Sequence, residues 1–286
     1  MKLSVIIPAY NEEEHLEELI NRLDKVLPYR SEIVVINNGS TDNSLDLLKR
    51  LKQYGGLSKT LIAMDLRLSG KTLAIKKGIE NSTGNLIAMI DADLQYNPED
   101  VVTLLGKLEV EQTDFVNGWR DFSSYPPSRR FFSYIYNWLY RRMFNVNVHD
   151  ANCGLKLFKR EVAGELVYRK GFHRYFVAMA SEAGYTVVET KVSLNKSEGK
   201  SSYGIRRILD GFFDLGSIKL SITVLKKPMV FFGVSSIILI LSGILYSFFE
   251  KTFFPTILIV SGFISFMFGL IAEMIINLER GWRLGE

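Results

Sequence analysis

Asp91 and Asp93, separated only by Ala92, are the residues whose types and spacing point most directly to chemistry. They follow the apolar run Leu86–Ile90. Two carboxylates placed this way offer hard oxygen ligands to a divalent cation such as Mg2+ or Mn2+, which in turn neutralises a diphosphate. Gln95, two positions further on, carries an amide able to help hold the metal shell. A bare D-x-D is weak evidence, because acidic loops after strands are common. Two other polar loops strengthen it: Pro8-Ala9-Tyr10-Asn11-Glu12 and the stretch from Asn37 to Asp42. Lys71, in Ser69-Gly70-Lys71-Thr72, has the look of a phosphate-binding lysine, but the full spacing of a P-loop is missing. His149 and His173 read as structural residues rather than ligands, and the lone Cys153 reads as packing.

These residues act together only if the elements around them bring them to one place. Strand-like runs at Leu3–Ile7, Glu32–Ile36, Thr60–Met64, Leu86–Ile90 and Asp114–Asn117 alternate with helical periodicity. The helices are predicted over Glu12–Leu27, opened by Asn11, and over Ser44–Tyr54, Leu73–Asn81 and Pro98–Glu109. Strands separated by helices imply βαβ units and an α/β fold, a mainly parallel sheet flanked by helices on both faces. Ligands of such sheets bind at the strands' carboxyl ends, where all three polar loops fall.

After Asn117 the chain changes character. Arg129 to Phe144 interleaves aromatic and basic residues, a mixture suited to a lipid headgroup interface or, alternatively, to a core helix with a solvated basic face. A second such stretch runs from Ile205 to Lys227. Met229–Phe249 and Phe253–Ile276 are apolar runs of about 20 residues or more, long enough for helices to cross a bilayer. Lys226 and Lys227 precede the first run and Arg280 and Arg283 follow the second, so the positive-inside rule puts both flanks, and the domain before them, in the cytoplasm. Glu273 lies within the second run, where a charge is costly, and is expected to face the other helix, a second subunit or the interface. The 286 residues are therefore divided into a globular domain over 1–204, interface helices over 205–228, a transmembrane pair over 229–278 and a tail over 279–286. The formal charge of +4 is modest, and its clustering beside aromatic residues favours a membrane over nucleic acid. One cysteine cannot form an internal disulfide, which fits a reducing cytosol. The chain opens on a strand-like run without the regions of a signal peptide, so attachment is expected from the later segments.

The segments VIIPAYNEE, NNGSTD, DADLQYNPED, DANCGLKLFKREV, GFHRYF and GKSSYG, in this order, resemble the family-2 glycosyltransferases, and within them the dolichol-phosphate mannose synthases and other polyprenyl-phosphate glycosyltransferases. The resemblance runs from about Leu3 to about Gly216, and members of this group also carry a C-terminal pair of transmembrane helices. It implies a GT-A type, Rossmann-like fold at the cell membrane. It also implies inverting transfer of a sugar from a nucleotide diphosphate sugar, GDP-mannose or a UDP-sugar, to dolichyl or polyprenyl phosphate. By the same resemblance Pro8, Tyr10 and Glu12 belong to the nucleotide pocket, and Asp91, Asp93 and Gln95 hold Mg2+ or Mn2+ and the diphosphate; Ala9, Asn38, Asp42, Lys71 and Ala92 are expected to complete the donor site. Arg120, Arg130 and Ser133 are implied as holders of the acceptor phosphate, with Arg129 as the alternative to Arg130. A homo-oligomer is compatible with this picture.

Two departures from the family pattern stand out. Asn37-Asn38 replaces the usual acidic pair before Gly-Ser, so contacts to base or ribose fall to amides. The arginine often found before G-K-S is absent, leaving Lys196 or Lys200 to supply that charge. Asp42 has two readings of equal weight, ribose binding and capping of the following helix. A membrane-bound transferase with a hydroxyl acceptor is the alternative function, and it would require a general base that a phosphate acceptor does not. A non-catalytic membrane scaffold or nucleotide-binding module is a third reading, and Asp91, Asp93 and the arginines argue against it.

Overall fold

A computed structural model describes residues 2–67, 70–195, 213–220, 224, 227–249 and 252–284. Strands β1 (Leu3–Ala9), β2 (Ser31–Asn37), β3 (Thr60–Asp65) and β4 (Leu86–Met89) run parallel, with β1 between β2 and β4 and β3 beyond β2. Their runs are almost continuously apolar because both faces are covered, and every residue of β2 is buried. The strands are joined by α1 (Leu16–Val26), α2 (Ser44–Tyr54) and α3 (Lys71–Glu80), and α4 (Asp100–Glu111) follows β4. Helix α1 buries Leu16, Leu19, Ile20 and Leu23, one stripe at helical spacing, each contributing about 1.5–3 kcal/mol. Gly78 lets α3 lie close against β1, since a Cβ there would come within 2.4 Å of the Ile6 side chain.

The second half adds β5 (Phe115–Arg120), β6 (Lys156–Lys159) and β7 (Val187–Val192), giving one seven-stranded sheet in the order β3-β2-β1-β4-β6-β5-β7. β6 is antiparallel to both β4 and β5, while β5 and β7 are parallel. Neither β6 nor β7 is evident in the sequence pattern. β6 has only four residues, Lys-Leu-Phe-Lys, and its first lysine is buried, so its composition hides a central strand. β7 is an edge strand whose apolar run is broken by the consecutive polar residues Glu189, Thr190 and Lys191. Helices α5 (Pro127–Phe144), α6 (Arg160–Ala163) and α7 (Phe176–Glu182) pass between them. α5 turns Asn137, Tyr140 and Phe144 inward and leaves Phe131, Tyr134 and Trp138 exposed, so it carries aromatic side chains on both faces.

Helix α1 begins at Leu16 rather than Glu12, and Asn11 does not cap it. Asn11 takes a left-handed conformation (φ 55°), and its Oδ1 accepts from the Thr41 N–H at 2.8 Å. The residues expected in the first helical turn are instead tied to the next loop. Glu12 N–H donates to Ser44 Oγ at 3.0 Å and Glu13 N–H to Asp42 Oδ2 at 3.1 Å.

The chain divides into two compact units, Met1–Leu209 and Asp210–Glu286. In the second, 213–220 are helical; 205–212, where the interface helices were expected to begin, lie outside the described residues. Helices α8 (Pro228–Ser247) and α9 (Phe254–Leu284) are long and apolar enough to cross a membrane, and they pack side by side as a hairpin. α9 continues into the expected tail. Close approach depends on Gly243 and Gly262: a Cβ on Gly262 would lie 2.6 Å from Ile240 Cγ1 and 2.9 Å from the Ser236 carbonyl. The Ser235 and Ser265 hydroxyls are 2.8 Å apart. Glu273 faces the other helix, its carboxylate accepting from the Met229 N–H at 3.4 Å, at the end of α8 where N–H groups lack intrahelical partners.

Candidate functional site

The carboxyl ends of β1, β2 and β4 surround a cleft of about 330 Å³ lined by Pro8, Ala9, Tyr10, Glu12, Asn38, Gly70, Lys71, Asp91, Ala92 and Asp93. Its rim is fixed by bonds between the β1–α1 and β2–α2 loops. Asn38 N–H donates to the Ala9 carbonyl at 2.8 Å, Asn11 N–H to Ser40 Oγ at 2.9 Å, and Asn43 N–H to Glu13 Oε2 at 2.8 Å. Tyr10 is exposed at the rim.

The cleft floor is carboxylate-rich. Lys71 Nζ pairs with Asp91 Oδ1. Burial pushes the Asp91 carboxyl up, but Lys71 beside it, with His173 and Arg120 further off, outweighs that and holds it below the usual carboxylate range. Asp93 is pushed the other way, by burial and by the neighbouring Asp91 charge. Glu12 is also raised, by burial first, against a bond from His15 Nδ1 at 3.1 Å. Leu94 stands at φ 52°, a strained conformation for a bulky side chain, and the turn it makes lets Gln95 N–H donate to Asp93 Oδ1 at 3.1 Å. Gly154 packs against Asp91, where a Cβ would come within 2.6 Å of Oδ2. Among the described residues no group of three His, Cys, Asp or Glu converges as a protein-only metal site.

Other expected site residues lie elsewhere. Asp42 does not line the cleft; its carboxylate accepts from the N–H groups of Ser44, the first residue of α2, and of Glu13. Gln95 is exposed and also outside the lining. Asn37 is turned into structure, donating to Asp65 Oδ1 at 2.6 Å and accepting from Ser40 Oγ at 2.5 Å. Arg120 is gripped by buried Asp150, with Nε to Oδ2 at 2.6 Å and Nη2 to Oδ1 at 2.9 Å. Arg130 and Ser133 lie on α5, away from the lining, and the Arg129 side chain, Lys196 and Lys200 lie outside the described residues. His173, read as structural, borders Asp91 through a second cavity together with Lys156 and Arg174. The segment around Asp150 and Lys156 was legible as a motif, but nothing in its composition shows that an antiparallel strand returns it to the end of β4.

Comparison with known proteins bears on this geometry. Residues 4–167 match the sequence model of Glycosyl transferase family 2. The chain is 29% identical over 240 residues to a dodecaprenyl-phosphate galacturonate synthase of Rhizobium johnstonii, covering 82% of this chain and 71% of that one. It is 30% identical over 217 residues to an undecaprenyl-phosphate 4-deoxy-4-formamido-L-arabinose transferase of Pseudomonas paraeruginosa, covering 74% of this chain and 63% of that one, so it spans less than two thirds of this relative. The glucosyl-3-phosphoglycerate synthase of Mycobacterium tuberculosis, solved with Mn2+, UDP and glucosyl-3-phosphoglycerate, shares the fold with a TM-score of 0.54 at 18% identity, over 75% of this chain and 79% of that one. The sheet is of the GT-A type. With a match that covers more than half of its length, the chain belongs to glycosyl transferase family 2.

Proposed function

We propose that this protein transfers a sugar from a nucleotide diphosphate sugar, with inversion, to the phosphate of a polyprenyl or dolichyl phosphate at the cytoplasmic face of a membrane. The observation that carries the reading is the cleft itself: loops at the ends of three adjacent parallel strands surround a carboxylate pair and a lysine, in a shape suited to a nucleotide and its diphosphate. The two relatives differ in the sugar their names give and agree in the class of acceptor, a polyprenyl phosphate. Two apolar helices fit an enzyme whose acceptor is a lipid, and the lysines and arginines flanking them support a cytoplasmic site.

Asp91 and Asp93 fit Mg2+ or Mn2+. They are hard oxygen donors, and the Asp91 charge pushes the neighbouring Asp93 carboxyl up, as expected of a site that a cation would relieve. Two carboxylates without a third protein ligand suit an ion that completes its shell with substrate phosphates. Bound there, the ion would neutralise the charge on the departing diphosphate. Lys71 supplies a second cation from the protein, and Tyr10, Pro8 and Asn38 form the wall available to the nucleoside.

Membranes containing the protein, incubated with a panel of labelled nucleotide sugars and either undecaprenyl phosphate or undecaprenol, test this. A labelled lipid from one donor and the phosphate acceptor is the expected result and names the sugar. Product formed with the alcohol and not with the phosphate would replace this reading with a hydroxyl-acceptor transferase.

A further inference from the structure

Leu94, the residue after Asp93, stands at φ 52°. In the left-handed region the Cβ of an L-residue crowds the following carbonyl oxygen, so a leucine persists there only where its surroundings over-determine it. Its side chain packs against the core, and that contact favours a leucine where the backbone alone would favour glycine. Other groups must hold the turn in place.

They come from the stretch that follows β7. Ser193 N–H donates to Asp100 Oδ2 at 2.7 Å, Leu194 forms an isolated antiparallel bridge with Tyr96, and Asn195 N–H donates to the Gln95 carbonyl at 3.0 Å. Asn195 also uses its side chain, with Nδ2 donating to the Leu94 carbonyl at 2.8 Å. A carbonyl can only accept, so this contact fixes which end of the amide faces the turn. Three consecutive residues are thus laced to the segment 94–100, which includes the turn behind the carboxylate pair.

One of these contacts bears on Asp93 through a single peptide unit. The Leu94 carbonyl and the Gln95 N–H belong to the same trans, planar peptide, so they point in opposite directions. On one side the carbonyl receives Asn195 Nδ2, and on the other the N–H donates to Asp93 Oδ1 at 3.1 Å. Orienting one end of a rigid plane orients the other. Asn195 itself stands outside the cleft lining and is exposed, so its side chain adds little to the core.

We infer that Asn195 is a positioning residue for the metal site: its side-chain amide holds the Leu94–Gln95 peptide so that the Asp93 carboxylate is kept in one orientation for a divalent cation. The inference rests on the reading of Asp91 and Asp93 as ligands of Mg2+ or Mn2+, and it adds the group that keeps the second of them in place. A carboxylate already held by a hydrogen bond loses less freedom when it takes up an ion, so the partner behind it governs affinity. Without the Asn195 amide, Leu94 is free to return to an ordinary backbone region, and the Gln95 N–H leaves Asp93 with it.

The test uses the full chain in detergent and Mn2+ alone as the probe, with free Mn2+ followed by electron paramagnetic resonance, and is then repeated with UDP and with GDP. Asn195→Ala is expected to weaken Mn2+ binding by about 10-fold, as for loss of a group that supports a metal ligand. The thermal midpoint should be nearly unchanged, because the substituted side chain is exposed. Hydrogen exchange reads the cause without any metal: the Gln95 amide is expected to exchange faster in the variant. Asn195→Asp, which keeps the shape and removes the donor, should act alike. Leu94→Gly gives the discriminating arm, since glycine takes a positive φ without strain, and in that background Asn195→Ala should cost distinctly less affinity. Leu94→Asn, which also tolerates this region, serves the same purpose if the glycine variant does not fold. An Asn195→Ala protein that binds Mn2+ like wild type would overturn the inference. So would a loss of affinity that follows a fallen thermal midpoint, which would make Asn195 a structural residue, and so would an equal loss in both Leu94 backgrounds. Wild type that binds no Mn2+, with or without nucleotide, would instead remove the metal reading beneath it.

Discussion

Asp93 is held beside a like charge and away from water, while Asp91 has a lysine to lean on, so the two carboxylates of one short motif are not equivalent. Replacing Asp93 by Asn removes a carboxylate whose burial opposes its ionisation. Asp93→Asn is therefore expected to lower sugar transfer by about 10²–10³-fold, as for loss of a group that stabilises developing charge, without lowering the thermal midpoint. Initial rates at saturating donor and a melting curve check both halves, and chelator should inactivate wild type to a similar degree. A variant that melts early and loses activity in proportion would mean that Asp93 is a structural residue. At this scale the sequence was informative where function needs a local pattern: nine of the eleven expected donor residues, Asp42 and Gln95 excepted, do line one cleft. It was silent where a role depends on a distant partner. Nothing local shows that Asp150 takes Arg120 or that Lys71 reaches Asp91.

Among the elements, the start of β2 is joined to β1 and to the segment before β4 by one buried carboxylate. Glu32 accepts from Ser4 Oγ at 2.6 Å and from Thr83 Oγ1 at 2.9 Å, with Lys2 beside it. Burial alone would raise it, but these bonds outweigh burial and bring it to about 2. A carboxyl lowered on folding gives stability that is present above its ordinary value of 4.5 and is lost as the pH falls from there towards about 2. Its contribution is about 3 kcal/mol, and Glu32→Gln should flatten the acid limb of stability measured by urea unfolding at several pH values in that window. In the hairpin, Gly262→Leu should force α8 and α9 apart. A disulfide engineered between Ser235→Cys and Ser265→Cys, expected to form readily in the parent chain, should form poorly in that background. The elements themselves were legible where burial made long apolar runs, as in β1, β2 and α9, or a stripe at helical spacing, as in α2. Strand β6 was not, because tertiary pairing and a buried lysine outweigh its local preference.

For the whole molecule, the cleft at the ends of β1, β2 and β4 belongs wholly to the unit Met1–Leu209, and the two apolar helices belong to the unit Asp210–Glu286. A chain ended after Lys227 is expected to keep donor binding by calorimetry and to lose most transfer to acceptor embedded in vesicles. Some vesicle attachment should remain through the exposed Phe131, Tyr134 and Trp138 on α5. Equal turnover by the truncated and full chains on vesicle-borne lipid would show that the helices do not serve to meet the acceptor. The reversed direction of β6 has a wider consequence. It brings a segment from the second half of the domain to the carboxyl end of a strand from the first half, so the two walls of the reaction centre have separate origins along the chain. Residues up to about 93 line the cleft proposed for the nucleotide, and those from 152 to 174 supply most of the adjoining cavity, which shares Lys71 and Asp91 with it. Such a layout lets descendants exchange what is glycosylated, or with which sugar, by altering the later segment while the earlier one goes on serving the same nucleotide. A chimera joined within α4, between two relatives, would reveal that inheritance in which substrate each half brings with it.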